Sequence, residues 1–318
     1  MSRISSRDLL ERVLEGDVAA IARLLSRAEA ADPECRETLG EVYARAGKAH
    51  VIGITGVPGS GKSTMVAVLA GWLRPRHKVG IIAIDPSSPY SGGSIMGDRI
   101  RMSELAGDEG VYIRSMATRG ALGGLARAAS DAIDLMDAAG RDPIFVETVG
   151  VGQDEVEIAG AADTVVVVSV PGLGDDVQAI KAGVLEIADI HVVNKADREG
   201  ADRTIAELRA MLTLLPAREG VRVPPVMACV AAREEGVDAL LDAIGAHMDE
   251  LKAGDALEPR RAKRAQQRVL RIAHEALARA MGDPALHIAP LVARVARREL
   301  GPHAAARALL ASLREAQA

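Results

Sequence analysis

One short segment constrains the fold of this 318-residue chain more than any other: a glycine-rich turn that reads GVPGSGKST from Gly56 to Thr64. It fits the pattern GxxxxGK[ST], and it lies between a short β-branched run and a helix-length stretch, the context in which this pattern forms a phosphate-binding loop. Glycines let backbone N–H groups converge on phosphate oxygens, and the following helix directs its positive dipole end at the same atoms. The segment therefore predicts a strand, a phosphate-binding loop and a helix.

Each part of this loop has a chemical task in nucleotide binding. Lys62 adds a mobile positive charge at the β- and γ-phosphates, and the hydroxyl of Ser63 is a ligand for Mg²⁺. Lys62 is accordingly a candidate catalytic residue as well. We expect the whole loop to bind the nucleotide, through Gly56, Val57, Pro58, Gly59, Ser60, Gly61, Lys62, Ser63 and Thr64.

Seven short apolar runs alternate with helix-length amphipathic stretches between residues 48 and 253. The runs cover residues 51–55, 79–84, 111–116, 144–148, 164–170, 190–194 and 226–230. Most are apolar throughout, which is typical of strands that are covered on both faces of a parallel sheet. The alternation predicts an α/β fold with a doubly wound, mostly parallel sheet.

Helical segments flank this domain on both sides. In residues 1–47 we expect Ser6 to cap a first helix and Asp17 a second. Residues 254–318 carry a local charge of +7 (12 Lys and Arg, 5 Asp and Glu), although the chain as a whole has a net charge of −5. The pattern leaves two interpretations open: a helical cap with its arginines on the solvated face, or a helical arm that binds a second subunit.

Composition excludes several classes of function. Aromatic residues make up only 2% of the chain and the net charge is negative, which argues against a nucleic-acid-binding surface. The two cysteines, Cys35 and Cys229, lie far apart without a metal-binding pattern. Neither a leader peptide nor a membrane span is recognisable, so we expect a cytoplasmic protein with no membrane or nucleic-acid partner.

A second motif, Asn194-Lys195-Ala196-Asp197, directly follows the run at residues 190–194. A carboxylate at this place can accept two N–H bonds from the Watson–Crick edge of guanine, whereas adenine has no matching pair of donors. A site built on such a buried polar match can discriminate by about 10⁴–10⁵-fold. The motif, downstream of a phosphate-binding loop, predicts guanine recognition.

Further acidic residues point to a metal site. Glu147 ends the run at residues 144–148 beside the phosphate-loop strand, and the N–H of Gly150 can reach the γ-phosphate. Asp85 and Asp98 bracket a Gly/Ser/Pro-rich loop that is too long for a tight connection and is typical of a switch loop. Residue 151 is valine, which cannot orient a hydrolytic water, so intrinsic hydrolysis is expected to be slow.

With these residues in hand, the chain resembles the MeaB/ArgK/MMAA family of P-loop GTPases, of the SIMIBI class. The resemblance rests on five segments within about residues 50–200: GVPGSGKST, IDPSSPYSGGSIMGDRIRM, FVETVGVGQDE, VPGLGDDVQAIKAG and VNKAD. It implies a Mg²⁺-dependent enzyme that hydrolyses GTP to GDP. It also implies a homodimer formed through C-terminal helices, and a chaperone that gates cofactor loading and protection of an adenosylcobalamin-dependent acyl-CoA mutase, chiefly methylmalonyl-CoA mutase.

The resemblance also assigns roles to single residues. Ser63, Asp85, Asp98 and Glu147 become metal-shell residues, Asn194, Lys195 and Asp197 recognise the base, and the backbone N–H of Ala231 reaches guanine O6. Glu147, Gln153 and Lys181 are candidates for the hydrolysis step, the last in a mobile loop over residues 171–181. Two rival functions use the same phosphate loop: a small-molecule kinase, and a metal-insertase GTPase.

Overall fold

A parallel sheet of seven strands forms the centre of the protein, as a computed structural model shows. The strands are β1 (Val51–Gly56), β2 (Val79–Asp85), β3 (Val111–Ala117), β4 (Ile144–Glu147), β5 (Thr164–Ser169), β6 (Ile190–Asn194) and β7 (Val226–Cys229). Their order is β3-β2-β4-β1-β5-β6-β7, and every pairing is parallel. The predicted doubly wound α/β fold is confirmed, and each predicted strand ends within one residue of the observed one.

The structure describes residues 4–85, 105, 107–117, 124–148, 160–172, 186–214, 223–281 and 288–316. The chain divides into two units, Met1–Arg264 and Ala265–Ala318. The helices that begin in the first unit are α1 (Ser6–Leu14), α2 (Val18–Glu29), α3 (Arg36–Tyr43), α4 (Lys62–Leu73), α5 (Gly124–Ala138), α6 (Ala201–Leu214), α7 (Val237–Ala253) and α8 (Leu257–Met281). Helix α8 continues into the second unit, which also contains α9 (Ile288–Ala296) and α10 (Pro302–Ala316). Among the helices described, none combines the length and apolar character that crossing a bilayer requires.

The N-terminal helices pack onto one face of the sheet. Leu9, Ile21 and Leu24 are fully buried in the same apolar cluster as Leu135 and Met136 of α5. The opposite face is covered by α4 and α7, in a second cluster. With both faces covered, ligands have access to an open α/β sheet at the carboxyl ends of its strands.

Ser6 does not cap α1, contrary to the prediction from the sequence. The cap is Ser5, whose hydroxyl accepts a hydrogen bond from the N–H of Asp8. The hydroxyl of Ser6 is buried and donates instead to Glu34 Oε2 over 2.6 Å. Asp17 caps α2 as predicted, because its carboxylate accepts from two backbone N–H groups in the first turn.

At the amino-terminal edge of the sheet, three arginines attach the start of α8 to two aspartates. Arg260 Nη2 lies 2.7 Å from Asp189 Oδ2. Arg261 and Arg264 both pair with Asp163, at 3.1 and 2.6 Å. The interpretation that these arginines occupy a solvated face is therefore wrong, since their side chains are only 18–27% exposed.

The same two aspartates also accept hydrogen bonds from the backbone of the sheet. Asp163 accepts from the N–H of Val51 at the start of β1, and Asp189 from the N–H of Val165 in β5. Although burial alone would raise the pKa of both carboxyls, their arginine partners and hydrogen bonds hold the pKa values below the ordinary value. These carboxylates are therefore ionised and fully engaged within the chain.

A chain of hydrogen bonds extends this network to two histidines. Thr164 Oγ1 lies 2.8 Å from His50 Nε2 and 2.9 Å from His247 Nδ1. His247 Nε2 in turn lies 3.3 Å from Asp189 Oδ1. Burial lowers the pKa of His50 to about 4, so that its ring is neutral at physiological pH.

Candidate nucleotide-binding site

The glycine-rich loop joins β1 to α4 at the carboxyl-terminal edge of the sheet. Gly56 has a φ of 136°, and a Cβ atom placed on it would lie 2.0 Å from the carbonyl oxygen of Val168 in β5. Gly59 and Gly61 also have positive φ angles, 75° and 89°. Only glycine fits Gly56, and left-handed backbone favours it at the other two, so the conformation of the loop follows directly from its composition.

Lys62 and Ser63 begin α4 with their functional groups directed at the loop and the sheet edge. The ammonium group of Lys62 donates to the carbonyl oxygens of Gly56 and Val57, over 3.0 and 3.1 Å. The hydroxyl of Ser63 donates to Glu147 Oε1 over 2.6 Å. Ile54 and Glu147 occupy the same register position in β1 and β4, which explains why this carboxylate ends beside the loop.

The pair formed by Ser63 and Glu147 suits a divalent cation. A hydroxyl and a carboxylate are the hard oxygen donors that Mg²⁺ prefers, and Mg²⁺ usually combines one or two protein carboxylates with phosphate oxygens and water. Both side chains are 4–5% exposed, at the end of a strand adjacent to the phosphate loop. The two predicted metal ligands that the structure describes therefore fit the ion.

Asn194 connects the phosphate loop to the segment that follows β7. Its Nδ2 donates to the carbonyl oxygen of Ser60 over 2.7 Å, and its Oδ1 accepts from the N–H of Ala231 over 3.0 Å. The side chain is 3% exposed. Asn194 therefore holds two loops in place. The N–H of Ala231 donates to Asn194 here, which places the predicted guanine O6 donor in an intramolecular bond.

Lys195 and Asp197 have different surroundings. Lys195 has a positive φ of 57°, and its ammonium group donates to the carbonyl oxygen of Gly59 over 2.7 Å, so its side chain extends over the phosphate loop. Asp197 is 37% exposed, and its Oδ2 lies 3.7 Å from Arg233 Nη2. The carboxylate is thus accessible for the ligand contact that the motif predicts.

The remaining predicted site residues are less well described. Asp85 is the last residue of β2, and only its backbone is described. Asp98, Gly150, Gln153 and Lys181 lie outside the described residues, as do residues 173–181 of the predicted mobile loop. Their roles stay predictions.

Two features of the site were not predicted from the sequence. Arg233, in the 3₁₀ turn Ala231–Arg233, is placed beside Asp197 by the bend after β7, and no pattern in the sequence signals that contact. The indole N–H of Trp72 in α4 donates to Glu234 over 2.8 Å. Cys229, at the end of β7, is buried, which raises the pKa of its thiol to about 11 and keeps it protonated.

Comparisons with known proteins point to one family. The family model described as "Methylmalonyl Co-A mutase-associated GTPase MeaB" matches residues 21–284. A Pyrococcus abyssi protein assigned as a GTPase is 47% identical over 95% of this chain and 95% of its own. GTPase ArgK of Escherichia coli is 37% identical over 74% of this chain and 73% of its own. A crystal structure titled "LAO/AO transport system kinase" is similar with a TM-score of 0.75 and 26% identity, covering 98% of this chain and all of that one.

Proposed function

This chain belongs to the MeaB family of P-loop GTPases and hydrolyses GTP, and from that premise we propose that it is the chaperone of an adenosylcobalamin-dependent acyl-CoA mutase. The observation that supports this proposal best is the family match over residues 21–284, whose description names methylmalonyl-CoA mutase. The proposed task is to gate cofactor loading and to protect the loaded mutase. A cytoplasmic location is part of the same proposal.

We propose a Mg²⁺-dependent hydrolysis of GTP to GDP at the carboxyl-terminal edge of the sheet. The cation, held by Ser63 and Glu147 together with Asp85 and Asp98, would supply positive charge to the β- and γ-phosphate oxygens. Lys62 stands 3.0 Å from the Gly56 carbonyl and adds a second positive charge where negative charge develops in the transition state.

Guanine selection is proposed to rest on Asp197. Its accessible carboxylate accepts the N1–H and N2–H of the base, while Asn194 and Lys195 hold the phosphate loop against the base-binding segment. The geometry gives each of the three motif residues a separate contribution: two connect loops, and one contacts the base.

The trigger for hydrolysis is proposed to come from the mutase. Val151 cannot orient a water, so Gln153 and Lys181 are the candidates that docking would bring into position. A partner can shift such an equilibrium only by binding one state more tightly than the other.

The C-terminal helices are the proposed dimer contact. Within the second unit, α8 carries exposed apolar side chains, with Val269 at 65%, Leu270 at 52% and Ile272 at 42%. A two-fold interface would bury the same surface on both subunits.

One experiment tests the chaperone proposal directly. GTP turnover is measured with and without methylmalonyl-CoA mutase, in the wild type and in the variants Gln153→Ala and Lys181→Ala, alongside a pull-down in a non-hydrolysable GTP analogue. We expect nucleotide-dependent capture and stimulated turnover, reduced in at least one variant. Absence of both capture and stimulation would overturn the proposal, and stimulation unchanged in both variants would assign the trigger to the mutase itself.

The alternative of a small-molecule kinase stays testable because a similar structure carries that title. A kinase transfers the γ-phosphate to an acceptor, whereas a GTPase releases it to water. Phosphate analysis distinguishes the two: all of the phosphate appears as free phosphate for a GTPase, and part of it on the added acceptor for a kinase. The third candidate, a metal-insertase GTPase, predicts instead that a transition-metal ion binds tightly to the purified protein.

A further inference from the structure

Guanine presents three groups on its Watson–Crick edge: the donors N2–H and N1–H, and the acceptor O6. A carboxylate satisfies both donors and leaves O6 in need of a donor. The backbone N–H expected to supply it, that of Ala231, donates to Asn194 Oδ1 over 3.0 Å. The structure therefore raises the question of which group faces O6.

Arg233 is the nearest cationic side chain to the base-reading carboxylate in the described structure. Its Nη2 lies 3.7 Å from Asp197 Oδ2, a separation too long for a strong hydrogen bond. Its Nε lies 3.0 Å from Glu235 Oε1, and its Nη2 donates to Glu235 Oε2 over 3.4 Å. The guanidinium is thus held mainly by Glu235, with one edge turned towards Asp197.

We propose, on the basis of the guanine site proposed above, that Arg233 is a specificity-determining residue that donates to guanine O6. Guanidinium carries five N–H donors in a planar fork, so it can keep its bonds to Glu235 and still offer a donor. Asp197 and Arg233 together present acceptors and a donor side by side, the complement of the guanine edge.

The same pair opposes adenine at two positions. Adenine has an unprotonated N1, which would face the Asp197 carboxylate, and an amino group at C6, which would face the Arg233 guanidinium. Both contacts set like against like, acceptor against acceptor and donor against donor. Arg233 therefore adds discrimination at C6 to the discrimination that Asp197 provides at N1 and C2.

Glu235 acts as the positioning residue for Arg233. Its carboxylate holds the guanidinium at 3.0 Å, which fixes the direction of the free N–H groups. It also offsets the positive charge, so Asp197 is not neutralised by a close ion pair. Glu235→Gln keeps the shape and weakens this hold.

The test exchanges the acceptor atom of the ligand. In 6-thio-GDP sulfur replaces O6 while N1–H and N2–H stay in place, and sulfur is a weaker acceptor. Calorimetry measures the affinities for GDP and 6-thio-GDP in the wild type, Arg233→Ala, Arg233→Gln and a control, Arg198→Ala. Arg198 is exposed, close to Asp197 in sequence, and without a side-chain contact among the described residues.

The expected result is a ratio of affinities that depends on Arg233. The wild type and Arg198→Ala should prefer GDP over 6-thio-GDP by about tenfold, the size expected for one good hydrogen bond to a charged donor. Arg233→Ala should reduce that ratio to near one, and Arg233→Gln to an intermediate value. Retained GDP binding reports that a variant is folded, and circular dichroism checks any variant that binds neither ligand.

Two outcomes overturn the inference and are distinguishable. If the wild type prefers GDP to ADP but shows no preference over 6-thio-GDP, or if the preference survives in both Arg233 variants, Arg233 does not contact O6 although the guanine site stands. If the wild type binds GDP and ADP equally, the proposed guanine site itself is wrong, and the inference falls with it.

Discussion

The two edges of the parallel sheet carry aspartates in opposite circumstances. At the amino-terminal edge, Asp163 is fully buried and bonded to two arginines and to the N–H of Val51. At the carboxyl-terminal edge, Asp197 is 37% exposed, with an arginine at 3.7 Å. One carboxylate has its bonding capacity used within the chain and stabilises the fold, whereas the other keeps capacity for a ligand.

The difference teaches how to distinguish a structural from a functional charge. A buried carboxylate that loses its partners leaves uncompensated charges behind, so the cost appears in stability. An exposed carboxylate near a phosphate loop costs little to remove from the fold, so its cost appears in binding. The following four predictions break or sharpen this comparison, from the largest expected effect to the smallest.

Asp197→Ala should abolish the preference for guanine. Because the two N–H donors of guanine would lose their acceptor, we expect the ratio of GDP to ADP affinity to fall by at least about 10³-fold. Calorimetry with both nucleotides measures it. The melting temperature should stay close to that of the wild type, and a large drop would mean that Asp197 is structural after all.

Asp163→Asn should destabilise the fold by about 3–5 kcal/mol, since it leaves Arg261 and Arg264 partly buried without their shared charge. Urea unfolding followed by circular dichroism gives the free energy of unfolding. GDP affinity of the folded protein should be unchanged because the site lies at the other edge. Asp249→Asn, at an exposed position of α7, is the control, and equal stability of the two variants would contradict the assignment.

Lys62→Ala should lower kcat for GTP hydrolysis by about 10²–10³-fold, because it removes a charge placed to stabilise the transition state. Single-turnover phosphate release measures the rate. Lys78→Ala is a control at an exposed lysine outside the loop. Turnover by Lys62→Ala at the wild-type rate would remove this residue from the mechanism.

Acid should weaken the fold through His50 before it affects the aspartates. The unfolded chain binds a proton on this ring near pH 6.5, whereas the folded chain does so only near pH 4, so the unfolded state holds more protons between these values. Stability should therefore fall as the pH drops through that window, by on the order of 2–3 kcal/mol. Asp163, Asp142, His247 and Lys252 are the charged or titratable groups that act on the ring.

Urea unfolding at pH 7 and pH 4.5 measures this dependence. His50→Gln should show a smaller difference between the two pH values, whereas His77→Gln, at an exposed position, should behave like the wild type. Asp163 and Asp189 have lowered pKa values, so their contribution is present above the ordinary value of 3.8 and is lost only as the pH falls below it. An unchanged pH dependence in His50→Gln would assign the effect to another group.

Much of the fold was predictable because the strands are buried on both faces. Runs such as residues 164–170 have to be apolar throughout, and this constraint makes them visible in a single sequence. The phosphate loop was visible for a similar reason, since only glycine fits at Gly56. The family resemblance drawn from these motifs is confirmed by the family match and by the related GTPases.

The arginine contacts could not be predicted, because they join segments far apart in sequence. Arg261 pairs with Asp163 across 98 positions, and a basic helix beginning at Leu257 looks the same in a sequence whether it faces water or buried aspartates. Arg233 escaped prediction for the same reason: its contact with Asp197 depends on the turn after β7. Ser6 was assigned one residue away from the true cap because two serines are adjacent.

The hydrogen bond between Trp72 and Glu234 has a practical consequence. Trp72 is the only tryptophan of the chain, it is 45% exposed, and its partner is adjacent to Arg233. Indole emission is sensitive to such a bond and to nearby charge, so the protein carries a built-in optical reporter at the base-binding corner. Nucleotide exchange can then be followed in real time on unlabelled protein, with no fluorophore attached to the ligand.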